Sequence, residues 1–486
     1  MTRLNDRDLL SVQEARDLVA VAGEAQKCLA TLSQEKIDEL VAAVAEVSFR
    51  NAERLGLMAH EETGFGKTAD KTLKNIFAAS TVYESIKDLD TVGIVREDPV
   101  KKIFEVAVPV GVIAGLIPCT NPTSTAIFKG MIALKAGNSI VFSPHPSAKE
   151  CIKETTRLMS EAVVSAGGPE GVFGCMSIVT REGTEELMKS PGVALILATG
   201  GSDMVRAAYS SGTPAIGVGP GNTPAFIERS ADIPTAVRRI ISSKTFDYST
   251  ICASEQSVVV ESCIEGDVRD EFVRQGAYFL PEEDAAKVAR AIFTPSERMN
   301  PRTVGRSTEF IAEAAGIRIP DGTLLMLAEG LGVGKGYPFS HEKLCPVLAF
   351  YSADGWERCC EKCIELLAFE GAGHTLAIHS SNESVIREFG LKKPVSRVVV
   401  NAGSALGAVG ATTNLIPSMT LGCGAIGRNA TSDNVGPLHL LNIRRVAWGT
   451  SEIEDLRPDA MGTEEELLNL LVKRVTAELV SKLALH

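Results

Sequence analysis

The chain has 486 residues, of which 45% are hydrophobic and 23% are charged. This balance is typical of a globular protein, and the length allows two or three domains. The formal net charge of -12, without a lysine- or arginine-rich run, argues against a nucleic-acid surface. No apolar run reaches the roughly eighteen residues that a membrane-spanning helix needs. Residues 1–8 carry no apolar signal segment. We therefore predict a cytoplasmic protein without nucleic-acid or membrane partners.

The chain contains 11 cysteines. In a chain without an export signal, cysteines are typically reduced thiols rather than disulfides. The tightest group, Cys359, Cys360 and Cys363, lies in a helical pattern, and no second CxxC pair follows to complete a metal site. We predict structural thiols there and no metal.

The first 110 residues combine helical patterns with one short pair of strands. Ser33 precedes an apolar stripe of helical period that begins at Ile37, which predicts a capped amphipathic helix. Residues 92–110 hold two alternating runs around Asp98-Pro99, which predict a β-hairpin. We interpret this hairpin as an oligomerisation arm.

From Val110 onwards the pattern changes to repeated strand–turn–helix units. Residues 110–117 form a continuous apolar run, as expected of a parallel strand buried on both faces. Further strands are predicted at residues 139–142, 173–179 and 193–198, with helices between them at 125–135, 148–166 and 182–189. This alternation predicts an α/β fold with a doubly wound parallel sheet, whose ligands bind beyond the carboxyl ends of the strands.

The pattern of strands, helices and loops also predicts how the chain divides into domains. We predict a cofactor-binding domain over residues 1–229, including the arm at 92–110, and a second α/β domain over 230–420 that carries a thiol turn. Residues 421–449 return to the first domain and add an oligomerisation strand. A polar linker over 450–462 contains Pro458 and Gly462, and an amphipathic helix over 463–486 follows it.

One cysteine lies where a substrate could reach it. Cys252 occupies a polar turn before a β-branched strand at residues 257–260. The alternative is an ordinary buried thiol, which is the usual fate of a free cysteine. Asn121, in the turn after the first parallel strand, could donate to an oxyanion or simply form the turn before Pro122.

Three other segments offer candidate binding groups. The turn at Thr199, Gly200 and Gly201 opens a helix whose N–H groups suit a phosphate, although it is not the G-x-G-x-x-G fingerprint. The loop at residues 217–224 exposes its backbone through three glycines. His341 and Glu342 precede a strand and could supply a base and a ribose-binding carboxylate, or form a loop corner.

The joint pattern resembles the aldehyde dehydrogenase superfamily from about residue 20 to 449, and within it the CoA-acylating branch. That branch includes acetylating acetaldehyde dehydrogenases, the aldehyde-oxidising half of bifunctional aldehyde–alcohol dehydrogenases, and propionaldehyde dehydrogenases of bacterial microcompartments. The matching segments are residues 118–129, 142–146, 199–201, 217–224, 252–256, 341–344 and 421–424.

The resemblance implies a fold and a set of roles. The fold is a doubly wound cofactor-binding domain, an α/β catalytic domain and a β-hairpin oligomerisation arm. Cys252 would add to the aldehyde as a thiolate, and Asn121 with the Cys252 N–H would hold the oxyanion. His341 is our candidate base for the incoming thiol of coenzyme A. The residues expected to bind the nicotinamide cofactor are Pro118, Ser143, His145, Thr199, Gly200, Gly201, Gly219 and Glu342.

Two departures from the hydrolysing aldehyde dehydrogenases refine this interpretation. Those enzymes carry a glutamate in the loop matching residues 218–224, and Val218 stands in its place here. A thioester on Cys252 should then wait for coenzyme A rather than react with water, although a hydrolysing enzyme and a catalytically idle scaffold remain alternatives. The second departure is Ser143-Pro144-His145, where many relatives carry a lysine. It leaves NAD and NADP both open, with NAD favoured by the branch.

The expected partners are a small aldehyde, coenzyme A and further copies of the chain in a homodimer or homotetramer. The C-terminal helix resembles the encapsulation peptides that direct enzymes to bacterial microcompartment shells. Its alternative is a docking helix that stabilises an oligomer. The side chain of the aldehyde is left open, with acetaldehyde, propionaldehyde and charged short aldehydes all possible.

Overall fold

The computed structural model describes residues 6–456 and 464–483. Residues 1–5, residues 457–463 with the second part of the predicted linker, and the last three residues therefore lie outside the described part. The described chain divides into two compact units. The larger unit comprises the chain up to residue 93 and residues 107–442, and the smaller unit comprises residues 94–106 and the segment that begins at residue 443.

Helices dominate the first part of the larger unit, as predicted. Ser33 caps the second helix, since its hydroxyl accepts a hydrogen bond from the Lys36 N–H (3.3 Å). That helix buries Ile37, Leu40 and Val44 against its neighbours. The helices are α1 (Arg7–Leu29), α2 (Gln34–Arg50), α3 (Ala52–Thr63), α4 (Thr68–Ile76) and α5 (Val82–Ile86), with a π-helical turn at Phe77–Thr81 between the last two. Strands β1 (Gly93–Asp98) and β2 (Ile103–Pro109) follow.

A five-stranded parallel sheet comes next, in the order β5-β4-β3-β6-β7. Every residue of β3 is buried, as its continuous apolar run predicts for a central strand covered on both faces. The strands are β3 (Val112–Ile117), β4 (Ile140–Pro144), β5 (Phe173–Cys175), β6 (Val193–Thr199) and β7 (Ala215–Val218). The connecting helices are α6 (Pro122–Lys135), α7 (Lys149–Ser165), α8 (Arg181–Lys189) and α9 (Ser202–Tyr209). The predicted doubly wound α/β class is confirmed.

The remaining strands of the larger unit form a seven-stranded parallel sheet, in the order β10-β11-β12-β9-β8-β13-β14. The strands are β8 (Thr223–Ile227), β9 (Glu255–Glu261), β10 (Ala277–Phe279), β11 (Leu325–Glu329), β12 (Val347–Ala353), β13 (Gly373–His379) and β14 (Val395–Val400). The helices are α10 (Ile233–Thr245), α11 (Glu265–Arg274), α12 (Glu282–Ile292), α13 (Thr308–Ala315), α14 (Gly355–Phe369), α15 (Glu383–Lys392) and α16 (Ser404–Ala408).

The change from one sheet to the other lies earlier than the sequence suggested. We placed the domain boundary after residue 229, but β8 pairs with β9 and β13 of the second sheet. The change therefore falls in the glycine-rich loop between Val218 and Thr223. The chain later returns to the segments that precede β3 and β4, because the Leu440 carbonyl accepts hydrogen bonds from the Val110 N–H (3.4 Å) and from Asn138 Nδ2 (2.9 Å).

The described residues of the smaller unit contain a three-stranded sheet, a 3-10 turn at Glu454–Leu456 and one α-helix. Strand β15 (Leu441–Ala447) joins β1 and β2 in the order β1-β2-β15. Arg445 pairs with Glu105 (2.9 Å), and the rings of Phe104 and Trp448 lie 5.7 Å apart. Helix α17 (Glu464–Leu483) exposes Leu468 and Val475 among other apolar side chains. In the part of the chain that the structure describes, no helix combines the length and apolar character needed to cross a membrane.

Candidate active site

The turns after β3, β6 and β7 lie at the carboxyl ends of neighbouring parallel strands and border one cavity of about 250 Å³. The turn before β9 contributes Cys252, and the segment before β12 contributes Glu342. Predicted site residues that line this cavity are Pro118, Asn121, His145, Thr199, Gly200, Gly201, Gly219, Cys252 and Glu342. The fold thus brings most of the predicted residues to the switch region of an α/β sheet, where such sheets bind ligands.

Cys252 is a half-buried residue that lines the cavity. Burial by the surrounding protein raises the pKa of Cys252 to about 12, and Glu342 adds to the rise, whereas Arg397 opposes it. The free thiol is therefore mainly protonated near neutral pH. Its reaction with an aldehyde needs the thiolate, so a base or a bound cation has to favour that form.

A strained turn precedes the cysteine. Asp247, Tyr248 and Ser249 all have positive φ values, of 49°, 49° and 68°. Residues with side chains rarely adopt this conformation, which costs about 1–3 kcal/mol for each residue and persists only where the surrounding structure holds it. Backbone strain of this kind is often found at functional sites.

The Asp247 carboxylate holds this turn from inside the protein. It is fully buried and accepts hydrogen bonds from Lys71 Nζ (3.1 Å), Lys74 Nζ (2.5 Å) and the Lys67 N–H (2.7 Å). Burial alone would raise the pKa of Asp247, but Lys74 and Lys71 outweigh burial and lower it. A methyl group on Gly66 would lie 1.8 Å from Asp247 Oδ1, so only glycine fits there.

Asn121 stands at the start of α6 but does not use its side chain to cap that helix. Its Oδ1 accepts a hydrogen bond from Lys74 Nζ (2.6 Å), and its Nδ2 makes a longer contact with the Thr120 hydroxyl (3.3 Å). An ammonium group can only donate, so the oxygen of the amide must face Lys74. The NH₂ group is thus the end of the amide directed away from Lys74, and since Asn121 and Cys252 line the same cavity, it is the candidate donor to an oxyanion formed at Cys252.

Glu342 is the one carboxylate among the described residues that line the cavity. Its Oε1 accepts a hydrogen bond from the Gly221 N–H (3.2 Å). Burial raises the pKa of Glu342 to about 8, and the nearby Glu370 adds to this rise. Glu342 is therefore mainly protonated at neutral pH and able to donate or accept a hydrogen bond.

The opposite side of the cavity has room for a ligand close to the backbone. A methyl group placed on Gly201 or Gly219 would meet no atom within 4 Å. The Thr199 hydroxyl is buried and has no hydrogen-bond partner in the described structure. An unpaired hydroxyl, open glycine backbone and the N-terminus of α9 fit the diphosphate of a nicotinamide dinucleotide.

Two predicted residues do not reach this cavity. His341 packs between the rings of Phe293 and Phe369, and its Nδ1 lies 3.4 Å from Glu370 Oε2. Its backbone is extended (φ -81°, ψ 166°), so neighbouring side chains point to opposite sides, and Glu342 takes the side that faces the cavity. Our assignment of His341 as the base for coenzyme A is therefore not supported by its position.

Ser143 is the other predicted residue outside the cavity. It is buried at the end of β4, and its hydroxyl lies 2.9 Å from that of Thr184 in α8. His145, two residues later, does line the cavity, and burial lowers its pKa. The turn after β4 therefore reaches the cavity through the histidine and not through the serine.

Sequence reasoning also missed several groups. Lys74 and Asp247, which hold the thiol turn, were not singled out, because a lysine in an amphipathic helix is usually exposed. Cys119 lines the cavity beside Asn121 as a second thiol, and burial raises its pKa. Asp247 lies five residues before Cys252 in the sequence. A charged residue so close to a candidate nucleophile could have indicated that it belongs to the site.

Comparisons with known proteins agree with this geometry. The sequence profile of the aldehyde dehydrogenase family matches residues 5–281. The chain is 41% identical over 442 residues to the bifunctional aldehyde-alcohol dehydrogenase AdhE of Escherichia coli K12, covering 90% of this chain and 50% of that protein. The chain thus spans about half the length of this relative.

Two further comparisons cover almost the whole of the other protein. The succinate-semialdehyde dehydrogenase (acetylating) of Clostridium kluyveri is 37% identical over 437 residues, which cover 90% of this chain and 96% of that protein. The crystal structure of an acetylating aldehyde dehydrogenase from Geobacillus thermoglucosidasius is 53% identical with a TM-score of 0.91, covering 93% of this chain and 99% of that one. With its cysteine turn, asparagine and glycine-rich cofactor turns in one cavity, this chain belongs to the aldehyde dehydrogenase family.

Proposed function

We propose that this protein is a CoA-acylating aldehyde dehydrogenase that oxidises a short-chain aldehyde with NAD and coenzyme A to an acyl-CoA. One observation carries the proposal: Val218 lines the same cavity as Cys252 and is 2% exposed. An isopropyl group thus occupies the loop position where the hydrolysing relatives carry a water-activating glutamate. The acetylating activities named for the C. kluyveri and G. thermoglucosidasius proteins support the same conclusion.

Each step of the proposed reaction takes place at Cys252. The Cys252 thiolate adds to the aldehyde carbonyl and forms a thiohemiacetal, whose oxyanion accepts hydrogen bonds from Asn121 Nδ2 and the Cys252 N–H. Collapse of that oxyanion expels a hydride and leaves a thioester on Cys252. The thiolate of coenzyme A then attacks the thioester carbonyl, and the product acyl-CoA leaves as Cys252 regains its thiolate.

The nicotinamide cofactor, when bound, supplies the hydride acceptor. Thr199, Gly200 and Gly201 would hold its diphosphate, and Glu342 would hold a ribose hydroxyl. The turn at Ser143-Pro144-His145 presents no lysine or arginine that could pair with a 2′-phosphate. This favours NAD over NADP.

The lining of the cavity favours an uncharged aldehyde. Ile251, Leu344, Val409, Met419 and Leu421 provide apolar walls, and no lysine or arginine lines the cavity in the described residues. A carboxylated or sulfonated aldehyde would lose its hydration without gaining a cationic partner. Acetaldehyde or propionaldehyde is therefore the expected substrate.

The experiment is an NADH assay with acetaldehyde, propionaldehyde and succinic semialdehyde, each with and without coenzyme A. We expect NADH formation that requires coenzyme A, a higher kcat/KM for the two uncharged aldehydes and no activity in Cys252→Ala. Full-rate NADH formation without coenzyme A, with release of the free acid, would instead identify a hydrolysing enzyme.

We also propose that the protein works as a homodimer or homotetramer through the sheet β1-β2-β15. Strand β15 is exposed along most of its length, and Trp448 beside it is 55% exposed. A second copy could cover this surface. Light scattering should give a dimer or tetramer mass, and Ile443→Asp should lower it.

A last part of the proposal concerns α17. Leu468, Val472, Val475 and Leu479 are exposed on it, as expected of an encapsulation peptide. A fluorescent protein fused to residues 463–486 should co-purify with shells in a shell-forming bacterium. A diffuse signal would favour the alternative of a docking helix.

A further inference from the structure

We infer that Lys74 is a positioning residue for the oxyanion hole, which fixes the Asn121 amide towards Cys252 and ties it to the cysteine turn. The inference rests on the proposed function, because it assumes that an oxyanion forms at Cys252. It does not depend on whether water or coenzyme A removes the acyl group.

Each of the three N–H groups of the Lys74 ammonium has a hydrogen-bond acceptor. Nζ donates to Asn121 Oδ1 (2.6 Å), to Asp247 Oδ2 (2.5 Å) and to the Thr250 carbonyl (3.0 Å), and it also lies 3.3 Å from the Thr250 hydroxyl. The side chain is 3% exposed. One buried nitrogen thus joins the start of α6 to two residues of the turn that ends in Cys252.

This arrangement decides which end of the Asn121 amide faces the thiol. A carboxamide has one accepting and one donating end, and the two ends occupy nearly the same volume. Without a fixed partner, the Asn121 amide could flip by 180° and direct its carbonyl oxygen towards the oxyanion. The two negatively polarised oxygens would then repel each other. Lys74 excludes that orientation because it offers only donors.

Lys71 offers a natural comparison. It is also buried, at 2% exposed, and binds Asp247 Oδ2 (3.1 Å) and the Thr120 carbonyl (3.1 Å). Both lysines neutralise Asp247, but the bonds of Lys71 do not include the Asn121 side chain. If Lys74 only balanced the charge of Asp247, the two lysines should matter alike. If Lys74 positions Asn121, they should differ.

Burial lowers the pKa of Lys74 to about 8, with Asp247 opposing that change. The ammonium form therefore prevails at pH 7. An assay at this pH examines the state that the hydrogen bonds require.

Two reactions of Cys252 separate the oxyanion hole from the thiol itself. Acylation by p-nitrophenyl acetate forms a tetrahedral oxyanion and requires neither NAD nor coenzyme A. Alkylation by iodoacetamide displaces iodide at carbon and forms no oxyanion. The ratio of the two rates at Cys252, measured by release of nitrophenolate and by peptide mass spectrometry, therefore reports on the oxyanion hole.

We expect Asn121→Ala and Lys74→Met each to lower the ratio of acylation to alkylation by roughly 10²-fold, the usual cost of one oxyanion donor. The double variant Lys74→Met/Asn121→Ala should fall no further than Asn121→Ala alone, because Lys74 acts through that amide. Lys71→Met should lower the ratio much less, and its effect should add independently to that of Asn121→Ala.

Three results would overturn the inference. They are equal losses in Lys74→Met and Lys71→Met, independent losses in the Lys74→Met/Asn121→Ala double variant, and an unchanged ratio in Lys74→Met. If Lys74→Met does not fold, Lys74→Met/Asp247→Asn also removes the buried charge that has lost one of its two lysine partners. This double variant should fold with the same low ratio, whereas a wild-type ratio in it would equally refute the inference. Failure of the proposed function is separate, because it would appear as NADH formation without coenzyme A in the wild type.

Discussion

A methyl group on Gly221 would lie 2.2 Å from the carbonyl oxygen of Cys252 and 3.2 Å from Cγ of His374. The first distance is far below any non-bonded contact, so the backbone of Gly221 packs directly against the peptide of Cys252. The same residue donates its N–H to Glu342 Oε1 (3.2 Å). The loop between the two sheets therefore fixes both the thiol turn and the carboxyl group of the cavity.

Gly221→Ala should consequently displace Cys252 from its position. We expect kcat to fall by at least about tenfold, since small misplacements of reacting groups are costly, and the melting temperature to fall as well. Gly266→Ala, in α11, is the matched control, because a methyl group there meets no atom within 4 Å. Wild-type kcat in Gly221→Ala would show that the loop can move away without consequence.

Val218→Glu should restore the carboxylate that the hydrolysing relatives carry. We expect NADH formation without coenzyme A to rise, because a carboxylate in this cavity can activate water against the thioester. Val218→Gln has nearly the same shape without the charge and should not gain that activity. Similar rates of acid release in the two variants would mean that water access, rather than the missing base, limits hydrolysis.

The raised pKa of Cys252 predicts slow labelling at neutral pH. Burial is its main cause and takes the pKa to about 12, so the thiolate fraction should increase steadily with pH. We expect iodoacetamide to modify the exposed Cys28 and Cys263 faster than Cys252 at pH 7. The rate at Cys252 should then climb from pH 7 to pH 10, as peptide mass spectrometry can follow. A plateau below pH 8 would show that the thiol is already activated in the free protein.

The buried Glu255 carboxyl group should make the free energy of unfolding depend on pH. It is fully buried at the start of β9, and burial raises its pKa from 4.5 to about 7. The folded state therefore holds this proton over a range in which the unfolded state releases it, and stability falls as the pH rises from about 4.5 to 7. The loss amounts to roughly 3 kcal/mol at 1.36 kcal/mol for each pKa unit.

Glu255→Gln should remove this loss. Urea denaturation at several pH values should show the stability of the variant, relative to wild type, increasing from pH 5 to pH 8. A constant difference across that range would mean that Glu255 ionises as readily in the folded protein as in the unfolded chain.

The pattern of strands and helices could be predicted from the sequence because apolar residues recur with a different period in each type of element. The apolar run of β3 and the capped stripe of α2 are local signals, and the structure forms both elements. The boundary after residue 229 was misplaced because pairing of β8 with β9 depends on residues that are distant along the chain. The position of His341 could not be predicted for a related reason, since only the direction of the extended backbone decides which of His341 and Glu342 lines the cavity.

The sequence by itself determined the family, the candidate nucleophile Cys252, its candidate partner Asn121 and the absence of a carboxylate at Val218, because these depend on residue type and order. Tertiary structure alone decided which end of the Asn121 amide faces the cavity, since Lys74 comes from a helix 47 residues earlier in the chain. It also decided the pKa of Cys252, because the burial that raises it comes from several loops. Residue identity sets the available chemistry, whereas burial and hydrogen bonding between distant segments set the orientation and protonation of the groups that perform it.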